Sequence, residues 1–312
     1  MKNIPVFCIN GFLESGKSTF ILSTIRRDEF YLRGKTLLIV TEQGEVEYDL
    51  DELSHYKVDV VYIEDINDMN AINLDKLYRK YSPKRVVIEM NGMWNMDEIS
   101  FPNYFEISQM ITLIDGPTFP VYFNNMRQLF TDLIKISDVV AFKNVESKEL
   151  LAPYQTGLKL INSNCLYCII NEQCISTQEA FDIPLPYNLN EKEIKINDKD
   201  FGIFYIDTFD HRPSYEDKII EFNAWVVLSD KLEKNQFIAG RKVMTCCADD
   251  VQLYGYLVSD NLGINLKHDS WVKLKASCHI EFNEQYQEEE IVLYPISIEI
   301  IDEINEPILD LR

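Results

Sequence analysis

Residues Gly11-Phe12-Leu13-Glu14-Ser15-Gly16-Lys17-Ser18 match the pattern G-x-x-x-x-G-K-[ST]. The glycines at 11 and 16 let the backbone curl, so that successive N–H groups point inward at phosphate oxygens. They do so at the positive end of the helix that follows. Lys17 supplies a mobile charge for the β- and γ-phosphates, and Ser18 offers a hydroxyl to Mg²⁺. So short a pattern also arises by accident, and its context decides. The apolar run Ile4–Asn10 precedes it and a helical stretch, Ser18–Arg27, follows, which is the strand–loop–helix order this chemistry requires.

Working outward, residues 1–162 alternate short apolar runs with helical patterns. Thr36–Thr41, Val58–Ile63, Arg85–Met90, Met110–Ile114, Asp138–Phe142 and Leu158–Ile161 read as strands, with helices over Asn70–Tyr81 and Thr118–Ser137. Nearly continuous apolar strands joined by helices predict a doubly wound, mostly parallel sheet of the P-loop NTPase kind, covered on both faces. From about residue 200 the helical spacing disappears. Phe201–Asp207, Phe222–Ser229, Lys242–Cys247, Leu253–Val258, Val272–Phe282 and Ile291–Ile304 read as strands, and the alternation in Trp271–Ala276 marks a half-buried one. The expected organisation is a nucleotide domain over 1–175, a linker over 176–200 that carries Pro184 and Pro186, and a smaller all-β, barrel-like domain over 201–312. The run Glu288–Glu290 reads as a solvated strand entrance.

Composition narrows the class of function. The 312 residues hold 30 Lys+Arg against 51 Asp+Glu, a formal charge of −21, with 46% apolar and 26% charged residues. That is a globular composition. The acid excess argues against nucleic acid and against a polybasic hold on lipid. No apolar run approaches the ~18 residues of a membrane span. Seven cysteines, an odd number without a secretory segment, suggest thiols or metal ligands rather than disulfides. The expected compartment is the cytoplasm.

Two acidic segments follow the phosphate loop. Thr41-Glu42-Gln43-Gly44-Glu45-Val46-Glu47-Tyr48-Asp49 leaves the carboxyl end of a strand, where ligands bind in such sheets. In Glu89-Met90-Asn91-Gly92 an apolar strand delivers Glu89 beside the phosphates, to hold a Mg²⁺-bound water or orient the attacking one, and Gly92 permits close backbone approach.

Together with the run Met110–Gly116, these motifs resemble the CobW family of P-loop GTPases, relatives of the urease and hydrogenase maturation GTPases. The resemblance covers 1–162. It implies GTP hydrolysis coupled to delivery or regulation of a transition metal, most often zinc or cobalt, with a client metalloprotein or permease as partner. It carries nucleotide binding to Gly11, Glu14, Ser15, Gly16, Lys17, Ser18, Thr19 and Gly92, Mg²⁺ binding to Ser18 with Glu42 or Asp49, and catalysis to Lys17 and Glu89. Two features depart from the family. It usually carries a Cys-x-Cys-Cys segment between the two acidic motifs, whereas Asp49–Val86 holds no cysteine. Its guanine-reading Asn-Lys-x-Asp is replaced by Lys143-Asn144-Val145-Glu146, with the first two types exchanged and Glu in place of the Asp that would accept two hydrogen bonds from guanine. Lys143 and Asn144 become the candidate base contacts, and GTP remains the expectation ahead of ATP.

Cysteines elsewhere offer another place for metal. Cys165-x₂-Cys168-x₅-Cys174 has a spacing that lets two thiolates reach one tetrahedral ion, although a fourth ligand is missing locally. Cys246-Cys247 is a second pair, which Cys278-His279 on another predicted strand could approach. The region Gly240–Asp250 with Gly255–Val258 is similar to the C-terminal domain of uncharacterised bacterial proteins associated with predicted permeases. Two rival readings stand beside the GTPase: a nucleotide sensor without turnover, and a cysteine-based metal buffer.

Overall fold

The computed structural model describes all residues except 1, 2, 32, 33, 43, 45, 182, 246–250, 285, 286 and 312. The chain divides into two compact units, 1–153 with 164–182 and 154–163 with 183–312.

The first unit is built on an eight-stranded sheet. Its strands are β1 (Ile4–Asn10), β2 (Thr36–Val40), β3 (Val58–Tyr62), β4 (Arg85–Glu89), β5 (Phe105–Asp115), β6 (Val139–Lys143), β7 (Leu166–Ile170) and β8 (Ser176–Glu179). Their order is β3-β2-β4-β1-β5-β6-β7-β8. Every pairing is parallel except β7 with β8. The strands read as unbroken apolar runs because both faces are covered. Leu38, Val40 and Val87 pack on one side with Ile9, Ile21 and Leu22, while Leu37, Ile39, Val86 and Ile88 pack on the other with Val6 and Cys8. The helices are α1 (Lys17–Ile25), α2 (Asp28–Tyr31), α3 (Leu50–His55), α4 (Ala71–Tyr81), α5 (Phe119–Asn125) and α6 (Arg127–Lys135). The single helix expected over Thr118–Ser137 is therefore two, broken at Met126, whose φ of −127° leaves helical geometry. Because β1 lies between β4 and β5, three carboxyl strand ends open around Gly11, the kind of crevice where such sheets bind ligands.

The second unit contains α7 (Gln155–Ile161), β9 (Glu193–Lys195), α8 (Phe201–Asp210), β10 (Ile219–Val227), β11 (Gln236–Met244), β12 (Val251–Ser259), β13 (Trp271–Asn283), β14 (Glu288–Ile301) and β15 (Ile308–Asp310). Its sheet runs β15-β11-β12-β14-β13-β10-β9, and a further β10–β11 pairing closes β10-β11-β12-β14-β13 into a ring. The β12–β14 pair is parallel and the others in the ring antiparallel. This is the strand order of a five-stranded Greek-key barrel of the OB type. The antiparallel strands β11 and β12 approach closely at Gly240 and Gly255, which face each other in register. A Cβ on Gly240 would lie 2.1 Å from the Tyr254 carbonyl oxygen, so a side chain there cannot be accommodated.

Two expected strands are helices. Leu158–Ile161 lies in α7, where Tyr254 Oη donates to the Leu160 carbonyl at 2.9 Å. Phe201–Asp207 lies in α8. Phe201, Phe204, Tyr205 and Thr208 recur at helical spacing and meet Phe222, Tyr215 and Tyr256 of the barrel core. The run FGIFYID is apolar on nearly every side, so no helical period shows in sequence. The 176–200 segment contributes β8 to the first unit's sheet and β9 to the second's. The Cys165–Cys168 stretch, expected after the last strand of the first domain, enters β7 itself. Glu288–Glu290 opens β14, with Glu288 and Glu289 exposed.

Candidate functional site

Gly11 (φ +138°) and Gly16 (φ +90°) take backbone conformations that side-chain-bearing residues rarely adopt, and between them the chain curls around the start of α1. The helix has no side-chain N-cap and no acidic residue in its first turn. Its leading N–H groups and dipole are thus available to an anion. Asn10 Nδ2 and Ser15 Oγ are buried beneath the loop without a hydrogen-bond partner. An open helix terminus, a glycine cradle and orphaned buried polar atoms together fit a phosphate chain.

Lys17 is buried, and its Nζ donates to the carbonyls of Gly11 (2.8 Å) and Phe12 (2.9 Å) and to Glu42 Oε2 (2.8 Å). Ser18 Oγ donates to Glu89 Oε1 at 2.6 Å, and Tyr48 Oη donates to Glu89 Oε2 at 2.6 Å. Both oxygens of the buried Glu89 are therefore held, one from the phosphate loop and one from the first acidic segment. Burial pushes the Glu89 carboxyl up, while the Ser18 and Tyr48 hydrogen bonds and the Lys17 charge pull it back. Burial and the adjacent Glu89 also drive the Tyr48 phenol strongly upward, so it stays a proton donor. Gly92 is pressed against the loop, where a Cβ would lie 2.4 Å from the Gly11 carbonyl oxygen.

Two adjoining hollows open here. One, of roughly 170 Å³, is lined by Glu14, Gly16, Lys17, Ser18, Thr19, Glu42, Glu89 and Lys143. The other, of roughly 210 Å³, is lined by Ser18, Glu42, Glu47, Tyr48 and Glu89. Ser18, Glu42 and Glu89 border both, an oxygen-rich donor set of the type Mg²⁺ prefers. Asp49 borders neither. Its carboxylate accepts from the N–H groups of Asp51 and Glu52 as the N-cap of α3. Lys143 lies across Gly16, with its Cδ and Nζ 3.2 Å from where a Cβ would be. Asn144 (φ +58°) turns aside, its Nδ2 donating to Asp115 Oδ1 at 2.8 Å.

Cys168 and Cys174 join the core under the phosphate-loop face of the sheet, and burial pushes both thiols up. Cys165 is buried at the start of β7. Among the described residues no set of three converging ligands includes any of them. Cys246 and Cys247 lie outside the described residues, and Cys278 is buried in the barrel core. Sequence reasoning missed Tyr48 and Glu47. Both stand in the acidic segment, but a tyrosine among carboxylates gives no sign of facing inward until β4 places Glu89 beside it.

A parallel sheet with a phosphate loop at the end of its central strand defines a P-loop nucleotide-binding protein. The CobW/HypB/UreG nucleotide-binding domain matches residues 5–161, half of the chain, and the chain belongs to that family. The DUF1980 C-terminal domain matches residues 176–309. UPF0703 protein YcgQ of Bacillus subtilis (strain 168) is 24% identical over 114 residues, 35% of this chain and 40% of that protein, so the chain spans less than half of that relative's length. Among solved structures, HypB from Archaeoglobus fulgidus is 17% identical, covering 54% of this chain and 80% of its own, with a TM-score of 0.36. Zn(II)-bound YjiA GTPase from E. coli is 16% identical, covering 77% and 86%, with a TM-score of 0.37. HypB from Helicobacter pylori in complex with nickel is 11% identical, covering 55% and 80%, also with a TM-score of 0.37. At these scores the fold rests on the sheet order itself.

Proposed function

We propose that the first unit binds a nucleoside triphosphate with Mg²⁺, GTP in preference to ATP, and hydrolyses it slowly as a switch coupled to handling of a transition metal for a client protein. The observation that carries this reading is the buried Lys17–Glu42 pair together with the Ser18–Glu89 bond. In each pair a carboxylate occupies the group that a phosphate chain or its cation would use. Triphosphate entry would exchange Glu42 for phosphate oxygens at Lys17 Nζ, a charge-for-charge substitution that keeps the lysine paired. The released Glu42 and the segment behind it would then be free to rearrange. Mg²⁺, when bound, would take up charge on the phosphate oxygens, with Ser18 and the carboxylates of Glu42 and Glu89 as its candidate holders. Glu89, held by Tyr48, would orient or accept a proton from the attacking water.

Turnover tests this. Lys17→Ala should bind GTP about 10- to 100-fold more weakly, the worth of lost charge-assisted bonds, and lose hydrolysis. A Lys17→Ala protein that turns GTP over at the wild-type rate rules out the catalytic reading. The altered Lys143–Glu146 segment, in which Asn144 donates to Asp115, motivates the alternative of a nucleotide sensor without turnover. Calorimetric nucleotide binding with phosphate release at background would select it.

A further inference from the structure

The barrel carries a cluster that the nucleotide site does not use. Tyr215 ends a short 3₁₀ turn, and Glu216 and Asp217 follow it just before β10. His279 lies on β13, which pairs with β10. His279 Nδ1 lies 3.3 Å from Glu216 Oε1 and 3.6 Å from Asp217 Oδ1. One ligand atom from each residue falls within 4.8 Å of the others.

His279 Nδ1 and Glu216 Oε1 make a long hydrogen-bond contact. A tetrahedral zinc with bonds of roughly 2.0–2.2 Å would hold nitrogen and oxygen about 3.3–3.6 Å apart, so the imidazole and the two carboxylates are spaced such that one ion can bridge them. Both firm ligands are also oriented from outside the cluster. Glu216 Oε2 accepts from the Ile280 N–H at 2.7 Å, leaving Oε1 turned to the histidine. His279 Nε2 lies 3.2 Å from Ser277 Oγ, and the ring packs against Tyr294, which leaves Nδ1 turned to the carboxylates. Outer contacts of this kind fix ligands in metal sites. The electrostatics point the same way. Among the described residues no lysine or arginine lies within ion-pair distance of Glu216 or Asp217, and neighbouring Lys218 donates instead to the Leu189 and Glu191 carbonyls. Two carboxylates thus share one imidazole in a chain of net charge −21.

We propose that Glu216, Asp217 and His279 bind one divalent first-row transition-metal ion of the zinc class on the barrel unit, with water completing the coordination. The proposal goes beyond the nucleotide reading and holds whether or not GTP binds. The test is a Co²⁺ titration of the purified full chain without nucleotide, followed by ligand-field absorption, then by displacement with Zn²⁺. Wild-type protein should take up an equivalent that shows ligand-field bands without thiolate-to-cobalt charge transfer. His279→Ala should remove that equivalent. Asp217→Asn is the safer variant, since the side chain is 81% exposed and asparagine tolerates the local φ of +61°. It should weaken the same equivalent by more than about tenfold, the scale at which even outer-shell changes act. Unchanged Co²⁺ affinity and stoichiometry in both variants overturns the assignment, as does an equivalent carrying the thiolate band.

Discussion

Glu89 joins the phosphate loop to the first acidic segment. Its carboxyl is buried, accepts from Ser18 and Tyr48, and stands near both Lys17 and Glu42. Replacing it with glutamine keeps the shape and one acceptor but removes the charge and the capacity to take a proton. Glu89→Gln should therefore retain nucleotide affinity near that of wild type and slow GTP hydrolysis by about 10²–10⁴-fold, the usual worth of a positioned acid or base. Binding of a fluorescent GTP analogue, measured beside single-turnover phosphate release, separates the two effects. Equal losses in binding and turnover would mean that Glu89 acts only as a structural support. The position of Glu89 beside the phosphate loop was legible in sequence, because it closes an apolar strand that follows the loop in the parallel sheet; its bonds to Ser18 and Tyr48 were not. Asp49 was misleading for the opposite reason. An aspartate before Leu50–His55 also serves as a helix N-cap, and its bonds to the Asp51 and Glu52 N–H groups show that use.

Among the elements, the segment from Thr41 to Asp49 is the one whose state should depend on ligand. Among the described residues, Thr41 Oγ1 donates to the Glu89 carbonyl at the start of the segment, and the Lys17–Glu42 and Tyr48–Glu89 contacts hold it further along. The Lys17–Glu42 contact must break if a phosphate takes Lys17, so the stretch beyond Glu42 then rests on Tyr48. Tyr48→Phe keeps the ring in the core it shares with Ile9 and Leu22 and deletes only the donor. Loss of a hydrogen bond to a carboxylate should cost about 1.5–3 kcal/mol. Amide exchange over 46–50 should rise in the variant, and rise further with Mg²⁺ and GTP than it does in wild type. Exchange that stays at the wild-type level in both states would show that this bond does not hold the segment. Element type was readable where periodicity was clean, as in β2, β4 and α4. It failed at α7 and α8, where Leu158–Ile161 and Phe201–Asp207 are short and apolar on most sides, so that burial rather than pattern decides their form. The strand Leu166–Ile170 carries one cysteine in a C-x₂-C spacing that suggests a metal ligand, whereas Cys168 packs as a core residue.

At the scale of the whole molecule, a barrel-like, β-rich region was expected from the alternation of runs such as Trp271–Ala276, but neither the helix over Phe201–Asp210 nor the pairing that closes the barrel was legible. The parallel β12–β14 pairing joins strands far apart in sequence, and nothing local encodes it. The Gly240–Gly255 contact, where β11 and β12 approach closely, looks in sequence like two unrelated glycines. Each unit has its own apolar core, Ile9, Leu38 and Leu113 with their neighbours in the first, Phe204, Phe222 and Tyr256 with theirs in the second. Separate cores permit separate cooperative transitions. A ligand that binds only one folded unit stabilises that unit by mass action, by about 2.7 kcal/mol when its concentration is 100 times Kd. Calorimetry of the full chain should therefore resolve two unfolding events, with Mg²⁺ and GTP raising the midpoint of one and leaving the other in place. The event that moves should be the one lowered by Tyr48→Phe, and the event that stays should respond to Zn²⁺, with Asp217→Asn requiring more than about tenfold higher Zn²⁺ for the same shift. If nucleotide raises both events equally, the units fold as one cooperative body, and a ligand in either stabilises the entire chain.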